Sequence, residues 1–465
     1  MKSSRRQPGT HAPSAQRRDG GSAATRATAF AERAATFIFL VLFAGVMWPP
    51  DSYFAAPLPP QQGASNIYDF SEFALLLGFL GVGFCLRRRE LPRLVLCAWP
   101  VLALCVLAFA SALWSGDPAL VVRRSGTVTL SALFGVYLVA RGELGALIAT
   151  LVKVYAFAAA ASLVMIAAAP LHGTMTGDAY THAWRGVYAD KNDLGMACGV
   201  AVIVAVYAFR RRCGPRWLAL LTVAASLLLL YGSQSKTPIV VMLAALYAGF
   251  VVSALRRRSA AGLVAAFVLL VLGLAGGALL AVGWQDALAA LGRDATFTNR
   301  TRIWRLVLDY IARRPWLGYG YEAFWRDDNG AARLIWDLVG FRTPHAHNSG
   351  LEIWLGLGVA GFGLAVLAWL AAAYRTLRVA TAPHTEHAAF CAALLAGILV
   401  ENLTEFEFFR PGRLMWALFV AVLVYLGREL VLRPASRTAA PLPARARARA
   451  ASRIAHPARG GALAD

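Results

Sequence analysis

Residues 145–169 read GALIATLVKVYAFAAAASLVMIAAA, a continuous apolar run broken by one charged side chain, Lys153. A helix needs roughly 20 apolar residues to cross about 30 Å of hydrocarbon, so this run is long enough to span a bilayer. Similar runs recur on both sides of it. They fall at about 34–48, 70–86, 94–113 and 120–140 before it, and at 193–209, 215–231, 237–255, 261–283, 351–374, 388–403 and 413–431 after it. The 465-residue chain is 58% hydrophobic and only 15% charged, which places it among integral membrane proteins rather than soluble domains. The expected fold is an all-α integral membrane protein of about 12 transmembrane helices.

The net charge of +21 would point to nucleic acid in a soluble protein, but here most basic residues sit in short blocks between apolar runs. Arg87, Arg88, Arg89 and Arg93 follow the second run, Arg210 to Arg212 the sixth, Arg256 to Arg258 the eighth, and Arg375 with Arg378 the tenth. The loop from Trp48 to Phe70 holds no Lys or Arg. This alternation is the positive-inside pattern, and it puts both termini in the cytoplasm with no nucleic-acid partner. The expected organisation is a disordered basic N-terminus over 1–33, nine spans over 34–283, a long outer loop over 284–350, three spans over 351–431, and a disordered basic tail over 432–465. The first apolar run starts too late, and lacks the small-residue pattern, for a cleaved signal peptide. The six cysteines lack paired spacing, so neither a disulfide framework nor a zinc site is expected.

One loop departs from the rest. From about 283 to 349 the chain is polar and apolar by turns, and loops of this length are more often functional than filler. Within it Ile303, Leu306, Val307, Tyr310 and Ile311 form an i, i+3, i+4, i+7, i+8 stripe, with Arg302, Arg305, Asp309 and Arg313 opposite. The spacing predicts an amphipathic helix on the membrane surface, with Thr298 or Asn299 at its start and Arg305 set i, i+4 from Asp309. Such a helix rests its basic face against anionic headgroups. Alternatively it builds a phosphate site, because the guanidinium fork donates two parallel hydrogen bonds and stays charged. The loop closes on Thr-Pro-His-Ala-His-Asn-Ser-Gly-Leu-Glu-Ile-Trp, with His347 and Asn348 just before the tenth run. A histidine there is suited to general base work; the ordinary alternative is a structural hydrogen-bonding role. His345 and His347, two apart and without a third ligand in sequence, do not have the spacing of a metal pair, so no metal is expected.

Other polar segments fall on the same outer side. Arg185, Lys191 and Asn192 lead into the sixth run, Lys236 lies in a short Ser-Gln-Ser-Lys-Thr loop, and Glu401 and Glu405 follow the eleventh run. Arg123 and Arg124 add two cations. Singly each is an ordinary snorkelling or capping residue; together they gather charge on one face, as a site for an anionic lipid headgroup requires.

These segments resemble the O-antigen ligase and polysaccharide polymerase superfamily over most of the chain after about residue 180. Thr-Asn-Arg-Thr-Arg-Ile-Trp resembles its loop arginine motif, at Arg300. Pro-Trp-Leu-Gly-Tyr-Gly resembles its glycine-rich turn, and His-Asn-Ser-Gly-Leu-Glu its histidine motif, at His347. Ser-Gln-Ser-Lys-Thr stands where the family has Ser-x-Ser-Arg-Thr, so Lys236 keeps the charge but not the bidentate fork. The Asp-Lys-Asn-Asp-Leu-Gly and Asn-Leu-Thr-Glu segments are most similar to exopolysaccharide polymerases of the succinoglycan type. The resemblance implies metal-independent, cofactor-free glycosyl transfer from a polyprenyl-diphosphate-linked oligosaccharide, at the periplasmic face of a bacterial inner membrane. It implies His347 as base and Arg300 as catalytic cation. Arg185, Lys191, Lys236, Arg302, Arg305, Asn348 and Glu405 are then substrate contacts, with Glu405 placed to orient the histidine or a sugar. Partners would be membrane lipid and proteins that set chain length or export the product. Two other readings stay open: a ligase acting on lipid A core, and a twelve-helix secondary transporter.

Overall fold

A computed structural model describes residues 23–46, 67–175, 182–257, 300–381 and 387–432, with 259, 261, 262 and 264 besides. Among these the structure is helical, with one isolated bridge between Thr174 and Trp184. The helices in order are α1 (Ala23–Phe43), α2 (Ile67–Leu86), α3 (Leu91–Cys97), α4 (Trp99–Ala110), α5 (Pro118–Ala140), α6 (Leu144–Ala168), α7 (Pro170–Gly173), α8 (Lys191–Arg211), α9 (Arg216–Ser233) and α10 (Thr237–Arg256). There follow α11 (Arg300–Arg313), α12 (Gly330–Val339), α13 (Ser349–Ala380), α14 (Ala388–Asn402) and α15 (Leu414–Leu432).

The protein is an all-α membrane protein. Seven of the described helices are long and apolar enough to span a bilayer. α3 and α4 count as an eighth if taken together, but they meet at 79°. Pro100, in the first turn of α4, sits at this bend, and Arg375 donates to the Cys97 carbonyl at 2.6 Å. The apolar stretches Phe73–Leu86 and Ala388–Asn402 are shorter. The expected ninth span, most of the first outer loop, the expected caps Thr298 and Asn299, residues 1–22 of the N-terminal tail and 433–465 of the C-terminal tail lie outside the described residues. α1 starts at Ala23, earlier than the apolar run, because its polar first half is held from the side: Glu32 pairs with Arg87 and accepts from Tyr137 Oη at 2.6 Å.

At the centre of the bundle stands α15. Its packing against α5 is close enough that a Cβ on Gly135 would lie 2.4 Å from the Ala417 carbonyl, and Trp416 Nε1 donates to the Val128 carbonyl at 3.0 Å. The helix expected on the membrane surface, α11, behaves differently. Its stripe of Ile303, Val307, Tyr310 and Ile311 is buried against Phe324, Trp325, Ile335, Trp336 and Leu355, forming a small core of its own with α12, a helix not foreseen. Apolar area of this kind is covered by protein instead of headgroups. The expected Arg305–Asp309 pair is not formed; both side chains are exposed.

α13 is broken where the sequence runs on without interruption. Gly358 has φ +64° and ψ −166°, outside helical space. A break inside a bilayer frees backbone groups that lipid cannot satisfy, so protein must. The turn Pro315–Gly320 does so: Tyr319 N and Gly320 N donate to the carbonyls of Leu355 and Gly356 at 2.9 Å each, and Val359 N donates to the Pro315 carbonyl at 2.8 Å. A Cβ at position 358 would lie 2.1 Å from the Trp316 carbonyl. Gly358→Ala is therefore expected to cost about 1–3 kcal/mol or more, read as a lowered thermal midpoint of the detergent-solubilised protein; an unchanged midpoint would show that the turn does not lock the break.

Candidate functional site

The site grows from one strained residue. His347 sits at φ +51°, a left-handed conformation that a residue with a side chain adopts only when its surroundings impose it. The imposition is visible at Ala346. Its N–H donates to Glu352 Oε2 at 2.7 Å, and its carbonyl accepts from Trp304 Nε1 of α11 at 2.9 Å. Glu352 also takes the Trp325 indole N–H, at 3.0 Å to Oε1 and 3.1 Å to Oε2. On the other side Asn348 Oδ1 caps α13 by accepting from Leu351 N at 3.0 Å, while its Nδ2 donates to the Leu403 carbonyl at 3.1 Å. The histidine is thus clamped between the arginine helix, the start of α13 and the loop after α14.

That last loop brings the carboxylate. Glu405 Oε2 lies 3.0 Å from His347 Nδ1, and its Oε1 is hydrogen-bonded and ion-paired with Arg300. Asn402 shapes the loop: its Oδ1 accepts from Glu407 N at 3.0 Å, from Phe408 N at 2.7 Å and from the Ser349 hydroxyl. Burial works to raise the Glu405 carboxyl, but the His347 hydrogen bond and the Arg300 charge outweigh it and hold it below its usual range. A carboxylate kept ionised beside Nδ1 fixes the proton there, leaving Nε2 as the basic nitrogen of the ring. His345 is buried, and its burial together with Arg410, His347, Arg413 and Arg300 drives its pKa well down. It stays neutral, and its Nδ1 accepts from His347 N at 3.1 Å.

His347, Arg300 and Glu405 line a cavity of about 200 Å³ that Lys191, Asn192 and Ser235 close from the opposite side. Lys191 opens α8, whose N-terminus is capped by Asp190 Oδ1 through Asn192 N at 2.6 Å and Asp193 N at 2.9 Å. Ser235 donates to Asn192 Oδ1 at 2.8 Å. Sequence reasoning missed Ser235, Glu352 and Asn402; an acidic residue four positions after Asn348 inside an apolar run was the available signal for Glu352. The remaining candidates do not meet at this cavity. Lys236 starts α10 between the lining residues Ser235 and Thr237 but does not itself line it. Arg185 reaches away to the His172 carbonyl at 2.8 Å. Arg302 and Arg305 are exposed on the far face of α11, because the stripe opposite them packs inward. Asn348 is engaged as a cap.

His345, His347 and Glu405 each offer a donor atom within 4.8 Å of the others. Within the site His345 Nδ1 accepts from the His347 amide and His347 Nδ1 is hydrogen-bonded to Glu405, and Glu405 is the third ligand type that the spacing of the two histidines did not supply.

Residues 221–366 match a family model described as O-antigen ligase. The chain is also 29% identical over 212 residues to the exopolysaccharide production protein ExoQ of Rhizobium meliloti, covering 43% of this chain and 48% of the relative. It therefore spans about half the length of the curated relative it matches. The matched segment supplies Ser235, Arg300 and His347, while Lys191, Asn192 and Glu405 lie outside it and complete the cavity.

The Glu405 shift has a sign that can be checked. A carboxyl whose folded pKa is depressed adds stability above its unfolded value of about 4.3 and loses it as pH falls through the folded value. The thermal midpoint of the wild type should exceed that of Glu405→Gln by a constant margin from neutral pH down to about 4.3, then converge on it in more acid solution. A margin independent of pH throughout would remove the ion pair from the account.

Proposed function

We propose that this chain, whose residues 221–366 match a family model described as O-antigen ligase, transfers a saccharide from a polyprenyl-diphosphate-linked donor to a sugar hydroxyl, polymerising repeat units into exopolysaccharide at the periplasmic face of the inner membrane. The observation that carries this reading is the His347–Glu405–Arg300 constellation, which lines one cavity with Lys191. Such transfer needs a base, fixed positive charge and little else, because diphosphate is already a good leaving group.

In the reaction His347 Nε2 takes the proton of the acceptor hydroxyl as its oxygen bonds to the anomeric carbon. The anomeric carbon–oxygen bond to diphosphate breaks, and its electron pair leaves with the phosphate. Arg300 and Lys191 neutralise the charge that develops there. Glu405 stabilises the imidazolium, which then loses its proton to water or to the departing phosphate. A relative named for exopolysaccharide production favours polymerisation, and a family description of O-antigen ligase favours ligation, with lipid A core as the acceptor under that reading; the acceptor distinguishes them.

In cells lacking the gene, wild type should restore long polymer, whereas His347→Ala should leave single lipid-linked repeat units at normal levels of membrane protein. Arg300→Ala should reduce polymer by about 10²-fold or more. Chelation of divalent metals should leave transfer unchanged in membranes. Gels of polysaccharide and lipid-linked pools read all three, and normal polymer from both variants would overturn the assignment. Intact polymer missing only from lipopolysaccharide would assign the ligase instead.

A further inference from the structure

At the other end of α8, α10 and α14 lies a second crevice. Its volume is about 370 Å³, and Arg210, Arg211, Arg256 and Arg257 line it together with apolar side chains such as Leu246 and Phe250. Among the described residues that line it, none is acidic. The arginines come from two helix ends, where α8 and α10 terminate. Arg210 stacks on Phe250 with its guanidinium carbon 5.0 Å from the ring centroid, and Arg256 donates to the Val379 and Ala380 carbonyls at 3.3 and 3.4 Å. Apart from the arginines its lining is largely apolar, including Ile203, Val206, Leu246 and, from the first turns of α14, Ala389 and Ala393.

The distance from the saccharide site follows from helix geometry. α8 begins at Lys191, in the first cavity, and ends at Arg211, in the second; its 21 residues span about 30 Å. α10 runs likewise from Thr237 to Arg256. That separation is the thickness of the hydrocarbon layer, so the two cavities open toward opposite leaflets. An apolar cleft between membrane helices with a cationic rim matches a ligand having an anionic phosphodiester head and hydrocarbon tails.

We infer that this crevice binds an anionic phospholipid of the leaflet opposite the saccharide site, its phosphodiester held by Arg210 and Arg257 and its tails by the apolar walls. The arginine forks suit phosphate oxygens, and the walls give the tails a surface that a free anion would not use. The site is independent of the glycosyl transfer proposed above.

The test uses the full chain in neutral detergent, with native mass spectrometry of wild type and of the Arg210→Ala/Arg257→Ala double variant. Wild type should retain phosphatidylglycerol at least tenfold more than phosphatidylcholine. The double variant should lose that preference, and Arg210→Lys/Arg257→Lys should recover part of it, showing that the fold survives at those positions. Equal retention of both lipids by wild type, or an unchanged preference in the double variant, would overturn the inference. So would displacement of phosphatidylglycerol by inorganic phosphate at equal concentration, since that would make the crevice a simple anion site.

Discussion

One carboxylate holds the candidate site together. Glu405 joins residues from three separate parts of the chain, accepting Arg300 on one oxygen and His347 on the other. A carboxylate in this part-buried position would be costly alone, and two cationic or proton-bearing partners turn that cost into a constraint on geometry. With Glu405 ionised, the histidine tautomer is set, the arginine is fixed, and both line the same cavity. A change at any one of the three therefore alters the other two, so the effects of substituting them should not add.

The rest of the fold serves to deliver these groups. α11 cannot drift, because its apolar face is buried under α12 and Trp325, and Trp304 is tied to Ala346. The histidine loop cannot relax, because Glu352 and Trp304 take both backbone groups of Ala346. The break in α13 matters for the same reason. It lets the short segment from Ser349 to Leu357 dock under the loop while the remainder crosses the bundle, and the glycine turn at 318–320 takes up the freed carbonyls. Strain at His347 and at Gly358 is thus supported by hydrogen bonds on neighbouring elements, as membrane surroundings demand.

Much of this was readable in advance, for a physical reason. Apolar run length reports directly on helices in a bilayer, so α5, α6, α8, α9, α10 and α15 fall close to the expected spans. The 3.6-residue stripe gave α11, the family resemblance pointed to Arg300 and His347, and charge gathered on one side pointed to Lys191 and Glu405; these four line one cavity. What was not readable depends on tertiary partners. Nothing in the apolar run from 351 to 374 betrays the break at Gly358, whose freed groups are met by a turn some forty residues away. Arg302 and Arg305 were expected as substrate contacts beside Arg300, yet the inward packing of the stripe turns them outward. Asn348 looked like a substrate contact because side chains that cap helices are the same types that bind sugars; its donor and acceptor are both engaged within the fold.

The two ends of the bundle use arginine differently. Around the candidate site Arg300, Arg124, Arg326, Arg410 and Arg413 each face a carboxylate: Glu405, Glu322, Asp117 with Asp328, Glu407, and Glu407 with Asp193. Cations matched in this way are positioned with little net charge, as a site needs when a diphosphate must bind and later leave; too many unpaired arginines would hold the product. At the far end the crevice presents arginines on apolar walls with no acid lining it. A cationic rim with no acid among its described lining residues is suited to a ligand that stays, and an abundant membrane lipid is always present to fill it. The same three helices thus carry a charge-matched cavity at one end and an arginine-lined crevice without acidic lining residues at the other.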